Sequence, residues 1–255
     1  MRILIINPNT SAQMTRAISE VARKYARPDT MVEAINSGFG PSSIEGFFEE
    51  YVAAHAMLER VLEARGKYDA FIIACYGDPG LYGARELADV PVIGIAEASF
   101  HFASVLGHSF SILIPLPHLV PFTSELVRLH GFTHKLASIR PVDLAVLDLD
   151  SASAEVEKRL ISAGRKAIEE DGAEVICLGC AGMALMDKVL EAALGVPVLD
   201  GTVCAVKMAE GMYDYGLRTS KLAAFKTPSR KEYVGCPDLY DRIWLGSAGA
   251  QDTPG

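Results

Sequence analysis

Two cysteines stand in matching surroundings, and their chemistry is that of an acid/base pair. Cys75 follows an apolar run of strand character and precedes Gly77, and Cys180 stands in the same way before Gly182. Each module continues through a short helical stretch into a Val-Pro-Val segment. If the two modules face each other, the thiols lie on opposite sides of one cleft. One thiol could then remove a proton from a carbon while the other returns a proton to the opposite face.

A thiol at the N-terminus of a helix feels the positive end of the helix dipole. We therefore expect the pKa of both cysteines to fall from about 8.5 toward neutrality. The glycines after them let backbone N–H groups approach a carbonyl oxygen and stabilise an enolate. A buried, inert role is the better interpretation of an isolated cysteine, but the repeat favours a functional role for this pair.

The other three cysteines do not share this placement. Cys177 and Cys180 form a C-x-x-C pattern, which is typical of redox dithiols or of half a zinc site. The alternation of strand side chains points Cys177 to the other face of the sheet, and no second pair or histidine cluster completes a metal set. We expect no metal, and we interpret Cys204 and Cys236 as core or surface residues.

Four other residues have two possible roles each. Asp78 is interpreted as the N-cap of the helix that follows it, with Pro79 at its first position, rather than as a catalytic carboxylate. Asn7 and Asn9 could bind a polar ligand or cap the next helix. His118 lies near a strand end and is interpreted as a surface residue.

Apolar strands alternate with amphipathic helices along both halves, which predicts an α/β fold. We expect two pseudo-symmetric lobes, each a mainly parallel four-stranded sheet flanked by helices, with the active site between them. The lobes span 1–108 and 109–217, with end elements free to pack on the opposite lobe. The extension 218–255 is expected to wrap the surface or form a subunit contact. Strands are predicted at 2–6, 31–36, 70–74, 91–95, 110–114, 136–142, 174–178 and 196–199, and helices near 12–26, 44–65, 80–88, 97–106, 119–130, 152–170, 183–194 and 202–215.

Bulk composition excludes several classes of function. A net charge of −8 argues against nucleic acid or an anionic membrane as the main partner. The apolar runs are too short to span a bilayer, and the N-terminus lacks a signal-peptide pattern. Five cysteines, an odd number, fit free thiols in the cytoplasm. The sequence contains no G-x-G-x-x-G, P-loop or H-E-x-x-H pattern, so nucleotide and metal chemistry lack support.

Ligands of open α/β sheets bind beyond the carboxyl ends of the strands. Four segments place unusual residues there, at corresponding positions in the two halves: 7–11, 75–80, 114–118 and 179–183. A small-molecule site between the halves follows from this correspondence.

These motifs, in this order, resemble the aspartate/glutamate racemase superfamily, and within it the hydantoin/allantoin racemase family. The matching segments are 5–11, 40–46, 74–81, 85–86, 91–98, 178–183 and 216–221. The resemblance implies a homo-oligomeric racemase or epimerase that needs no cofactor and uses two bases, with Cys75 and Cys180 as the catalytic pair. It also places substrate-binding residues in the same segments: Asn7, Pro8, Asn9, Ser43, Ile44, Tyr76, Gly77, Ile114, Pro115, Ala181 and Gly182.

The chain departs from the family pattern at one place. Hydantoin-type members usually carry a pair of threonines where this chain has Ile114 and Pro115, so a ring carbonyl or ureido group would lose a donor. A 5-substituted hydantoin or allantoin remains the expected substrate. The alternatives are an aspartate/glutamate-type racemase, an arylmalonate-type decarboxylase, a maleate-type isomerase or a metabolite-binding protein. Retention of both cysteines favours racemisation.

Overall fold

A computed structural model describes residues 1–149, 153–229, 231–234 and 243. Cys236 and most of the chain beyond 234 lie outside the described residues. The described chain contains two four-stranded parallel sheets flanked by helices, which confirms the predicted fold class. The strands are β1 (Arg2–Asn7), β2 (Met31–Asn36), β3 (Ala70–Ile73), β4 (Val92–Gly94), β5 (Phe110–Ile114), β6 (Leu136–Pro141), β7 (Val175–Leu178) and β8 (Val198–Asp200). The helices are α1 (Ala12–Tyr25), α2 (Phe47–Ala64), α3 (Leu81–Leu87), α4 (Ile95–Leu106), α5 (Val120–Leu129), α6 (Val146–Leu149), α7 (Ala154–Glu169), α8 (Asp187–Leu194) and α9 (Gly201–Asp214).

The two sheets have the same strand order. It is β2-β1-β3-β4 in the first lobe and β6-β5-β7-β8 in the second. The central strands β3 and β7 are buried along their whole length, as expected for parallel strands with helices on both faces. Because β3 and β7 occupy the same place in each sheet, the residues that follow them come to equivalent positions.

Polar side chains fix where several helices begin. The Ser11 hydroxyl accepts a hydrogen bond from the N–H of Met14 and caps α1, and Ser153 caps α7 in the same way. The Asp200 carboxylate accepts from the N–H groups of Thr202 and Val203 at the start of α9. These contacts satisfy N–H groups that a helix leaves unpaired in its first turn.

Each lobe ends in a helix that packs on the other lobe. Helix α4 contacts β7 and β8 of the second sheet, and α9 contacts β3 and β4 of the first. The two helices also pack on each other, and a continuous apolar core runs between the sheets. Within this core Phe100 packs against Tyr76 and Phe110, with ring centroids 5.9 and 5.6 Å apart. The lobes are therefore joined by a shared core.

The two largest differences from the predicted elements lie in the second lobe. The helix expected near 183–194 begins only at Asp187, because a short 3₁₀ turn (Ala181–Met183) follows Cys180. The short helix α6 was not predicted. Both the 3₁₀ turn and helix α6 belong to the second lobe and lie beside the space between the two lobes.

The described part of the C-terminal extension packs along the surface of the first lobe. The Thr219 hydroxyl donates to the carbonyl of Val90, and the Lys221 ammonium donates to the carbonyls of Arg85 and Glu86. Ile243 is buried in the apolar cluster around β1 and β3. Across the described residues, no helix combines the length and the apolar character that crossing a membrane requires.

Candidate active site

Cys75 and Cys180 line one cleft between the lobes. Cys75 lies just beyond β3 and Cys180 just beyond β7, and both are half-buried. Each sulfur receives a hydrogen bond from the backbone N–H two residues later. That group is Gly182 for Cys180, at 3.3 Å, and Gly77 for Cys75. The repeated sequence module therefore forms a repeated local structure.

The cleft contains about 620 Å³ of empty space, part of it open to solvent. Most of its lining is apolar. Its lining residues are Asn9, Met14, Ile44, Gly46, Glu50, Ala74, Cys75, Tyr76, Gly77, Ile114, Pro115, Leu119, Phe122, Thr123, Val146, Gly179, Cys180 and Ala181.

The structure brings most of the expected substrate-binding residues to this cleft. Seven of them line it: Asn9, Ile44, Tyr76, Gly77, Ile114, Pro115 and Ala181. Four others, Asn7, Pro8, Ser43 and Gly182, are not among the described residues that line it. Gly182 is still part of the arrangement, because its N–H contacts the Cys180 sulfur.

Asn7 and Asn9 have different roles. Asn7 is buried, and its Nδ2 donates to Asn9 Oδ1 at 2.8 Å and to Thr15 Oγ1 at 3.0 Å. Asn9 Oδ1 also accepts from the N–H of Ser11. Asn7 therefore positions Asn9, and Asn9 is the member of the pair that borders the cleft.

A loop of the first lobe crosses to the second beside Ile44. The Glu45 carbonyl is 2.7 Å from His118 Nε2, and Glu45 Oε1 accepts from the N–H of Val146. Phe47 and Phe122 meet edge to face, with ring centroids 5.1 Å apart. His118 is exposed, as expected, but it also connects the two lobes at the cleft.

The environment of Cys75 contradicts the expected fall in its pKa. Burial raises the pKa of this thiol well above its ordinary value, and the nearby Glu50, Cys180 and Asp78 add to the rise, against the Gly77 N–H, which lowers it. The expectation was wrong because Cys75 does not begin a helix. Helix α3 starts six residues later, at Leu81, so the helix dipole does not compensate for burial. Cys75 therefore rests as a thiol.

Glu50 is a cleft residue that the sequence did not indicate. It lies in the first turn of α2 and is 8% exposed. Its carboxyl oxygens lie 2.6 and 2.9 Å from the position that a Cβ atom on Gly77 would occupy, so any larger residue there would have to displace the Glu50 carboxyl. Burial, and to a lesser degree Asp78, raises the pKa of Glu50 to about 8. Near neutral pH this carboxyl is protonated.

Asp78 has a structural role, but it caps a different helix from the one expected. Helix α3 has Gly80 at its N-cap. The Asp78 carboxylate instead accepts hydrogen bonds from the N–H groups of Ala96 (3.1 Å) and Glu97 (2.9 Å), at the start of α4. Burial raises the pKa of Asp78 to about 7, although these two N–H groups lower it. Asp78 thus holds the turn after Cys75 against a second helix.

Cys177 and Cys204 are not among the residues that line the cleft. Both are buried, and burial raises the pKa of each thiol, that of Cys177 to about 12. Cys177 lies in β7 and interacts with Ser99 and Tyr76. No group of three or more metal-ligating side chains occurs in the part of the chain that the structure describes.

Two thiols on opposite lobes, each held by a backbone N–H, bound a mostly apolar cleft. A carbon acid bound between them would present one face to each sulfur. Such a site suits proton removal and return next to a carbonyl.

Comparisons with known proteins match this chain to racemases. The sequence pattern of the Asp/Glu/Hydantoin racemase family matches residues 3–209. A hydantoin racemase from Pseudomonas sp. (strain NS671) is 43% identical over 243 residues, which cover 95% of this chain and 98% of the relative. The solved structure of allantoin racemase from Klebsiella pneumoniae is 41% identical, covers 94% of this chain and 98% of its own, and superposes with a TM-score of 0.90. Allantoin racemase from Pseudomonas fluorescens is likewise 41% identical, covers 92% of this chain and 100% of its own, and has a TM-score of 0.90.

Proposed function

The chain belongs to the Asp/Glu/Hydantoin racemase family, and from this premise we propose that it racemises the C5 stereocentre of a hydantoin-type ring. The observation that carries the proposal is the placement of Cys75 and Cys180 on opposite lobes of one cleft. A decarboxylase needs a proton donor on one face alone, whereas racemisation needs a base and an acid on opposite faces.

The structure of the hydantoin ring explains how its stereocentre can be inverted by proton transfer. The C5 hydrogen of a hydantoin lies next to the C4 carbonyl, so its removal gives an enolate. One cysteine thiolate takes this proton, and the other cysteine, as a thiol, returns a proton to the opposite face. Because Cys75 rests as a thiol, we assign it the role of acid when the resting enzyme begins a turnover. The two-base mechanism then assigns the role of base to Cys180 in that direction.

The residues that line the cleft favour one kind of substituent at C5 of the substrate. Ile114, Leu119 and Phe122 of the second lobe, together with Ile44 of the first, provide an apolar wall. An apolar side chain at C5 would gain from burial against this wall, whereas the ureido group of allantoin would find no hydrogen-bonding side chain among these four residues. A 5-alkyl or 5-aryl hydantoin is therefore favoured over allantoin.

A cytoplasmic location belongs to the same proposal. No disulfide joins any two of the described cysteines, and a thiol pair that exchanges protons needs a compartment in which it stays reduced.

The test is to incubate single enantiomers of 5-benzylhydantoin, 5-isopropylhydantoin, allantoin, aspartate and glutamate with the enzyme in D2O. Polarimetry measures inversion, and NMR measures loss of the C–H signal. We expect inversion of both apolar hydantoins above the enzyme-free rate, slower inversion of allantoin, and no change in the amino acids. Addition of a chelator should leave the rates unchanged.

Two outcomes would overturn the proposal. Racemisation of aspartate or glutamate, with no action on any hydantoin, would indicate an amino-acid racemase. In a parallel incubation with an arylmalonate, release of CO2, together with no inversion of hydantoins, would indicate a decarboxylase.

A further inference from the structure

Glu50 borders two cavities. One is the cleft that contains both cysteines. The other is lined by the turn after Cys75, by α3 and by α5, and includes Asp78, Tyr82 and His130. Tyr82 is 42% exposed, so this second cavity reaches the surface by a route separate from the cleft.

Two buried polar atoms border the second cavity without hydrogen-bond partners. They are Glu50 Oε2 and His130 Nε2. The His130 side chain is 5% exposed, and its Nε2 lies 3.8 Å from the Asp78 carboxylate, beyond hydrogen-bonding distance. Buried polar atoms are nearly always paired, so two unpaired atoms around one cavity need an explanation.

The protonation states of these groups suit a proton transfer. Burial and the nearby Asp78 favour the neutral form of Glu50, so near neutral pH it holds a proton. The same carboxyl is close enough to Cys75 to affect the pKa of that thiol. Burial lowers the pKa of His130, although Glu97, 3.7 Å from Nδ1, raises it, and the ring is neutral. Glu97 in turn pairs with Arg85. A neutral acid therefore lies between Cys75 and the cavity, and a neutral base lies on the cavity's far side.

A two-base racemase needs such a transfer. This step rests on the proposed function. After a turnover that starts from the resting enzyme, Cys75 has given its proton to the substrate and is a thiolate, and Cys180 has gained a proton. The free enzyme must then return to its starting protonation state before it can act again on the same enantiomer.

We propose that Glu50 carries protons between Cys75 and the second cavity, and so resets the enzyme between turnovers. The O–H bond of the Glu50 carboxyl breaks as an S–H bond forms on Cys75. The Glu50 carboxylate then takes a proton from a solvent acid that enters through the second cavity, with His130 as a carrier. Cys180 loses its proton to solvent through the emptied cleft. One proton enters and one leaves, and no electrons are transferred.

The experiment compares Glu50→Gln with the wild-type enzyme at about pH 6.5, below the pKa of Glu50. Gln keeps the size and neutrality of the protonated side chain but cannot pass on a proton. Resetting follows product release, so it affects kcat and not kcat/KM. We expect kcat to fall roughly tenfold or more, with kcat/KM unchanged. Added imidazole should restore part of the lost kcat by delivering protons directly.

Glu63→Gln is the matched control, because it removes a carboxyl from the exposed face of the same helix. It should leave both constants unchanged. Glu50→Asp keeps a carboxyl on a side chain that is one methylene shorter. In this variant kcat should fall by less than in Glu50→Gln, again with kcat/KM unchanged. If circular dichroism shows that the Gln variant is unfolded, the Asp variant serves as the test in its place.

An equal fall in kcat and kcat/KM would overturn this proposal, because Glu50 would then act in binding or in the chemical step. Unchanged kinetics in both Glu50 variants would overturn it as well. Failure of the wild-type enzyme to invert any hydantoin would instead refute the proposed function.

Discussion

The carboxyl group of Asp78 occupies the space that a Cβ atom on Gly94 would need. From this position it accepts the N–H groups of Ala96 and Glu97 and joins the turn after Cys75 to helix α4. Because α4 also packs on the second sheet, this contact connects the Cys75 turn to both lobes.

Gly94→Ala should therefore destabilise the protein and impair the site. The added methyl group must displace Asp78, and overpacking of this kind costs about 1–3 kcal/mol. Urea unfolding measures the loss of stability, and racemisation should fall with it.

Gly211→Ala is the control, since Gly211 lies in a helix and an added Cβ there meets nothing within 4 Å. That change should stabilise by up to about 1 kcal/mol. Equal stability of the Gly94 variant and the wild type would contradict the structure.

Cys75→Ser and Cys180→Ser should each abolish racemisation, because one face of the substrate loses its acid or base. The expected fall is roughly 10²–10⁴-fold or more, the usual contribution of a positioned proton-transfer group. Each variant should still exchange the substrate C–H with D2O for one enantiomer alone, and the two variants should differ in which one. NMR of separate enantiomers measures this exchange.

Cys204→Ala is the control for the cysteine variants, since Cys204 is buried in α9 and does not line the cleft. It should retain racemisation. Racemisation by Cys75→Ser at the wild-type rate would refute the two-base mechanism.

Ile114→Thr should shift the substrate preference toward allantoin. Ile114 is among the residues that line the cleft, and a hydroxyl there could pair with the ureido group. One such hydrogen bond is worth about 0.5–1.5 kcal/mol, so kcat/KM for allantoin relative to 5-isopropylhydantoin should rise up to about tenfold. Ile114→Val has nearly the same shape as the Thr variant and lacks the hydroxyl. If Ile114→Val shifted the substrate preference as much as Ile114→Thr, the cause would be the smaller side-chain volume and not the hydroxyl.

The stability of the protein should depend on pH through Glu50. Its pKa of about 8 in the folded protein lies above its ordinary value of 4.5, so the folded state binds this proton more tightly than the unfolded state. The associated stabilisation is complete below about pH 4.5 and is lost as the pH rises toward 8. Relative to Glu50→Gln, the wild type should therefore lose unfolding free energy across this range.

Thermal or urea unfolding at several pH values gives the difference between the two proteins. The difference is needed because Asp78 and Asp200, whose pKa values are also raised, act in the same direction. Glu63→Gln should follow the wild-type curve. A constant difference between wild type and Glu50→Gln from pH 5 to 8 would show that Glu50 has an ordinary pKa in the folded protein.

Local patterns were enough to predict the alternation of strands and helices and the matching positions of the two cysteines. They could not separate Glu49 from Glu50. In the sequence the two glutamates are alike, yet Glu49 accepts from the N–H of Glu45, while Glu50 is buried beside Gly77. That difference depends on how α2 crosses the Cys75 turn, which is a property of tertiary packing.

The same limit explains the error at Asp78. An aspartate before Pro79 fits a local helix cap, but the N–H groups that it contacts belong to residues 18 and 19 positions later. Its positive φ of 50° turns the chain away from the local cap. The pKa of Cys75 was mispredicted for a related reason: α3 begins only at Leu81, and burial, which depends on tertiary packing, raises the pKa of the thiol.

The two cysteines have unlike neighbours, since Cys75 lies near Glu50 and Asp78 while Cys180 opens a 3₁₀ turn. Mirror-image substrates with one stereocentre have equal free energies in water, so the equilibrium constant between them is unity. An asymmetric site cannot alter this balance, and kcat/KM must be the same for both enantiomers. Its asymmetry can appear only in how tightly each enantiomer is held and how fast the saturated enzyme turns over. The unequal surroundings of the two thiols thus give each enantiomer its own KM and kcat, tied in a fixed ratio.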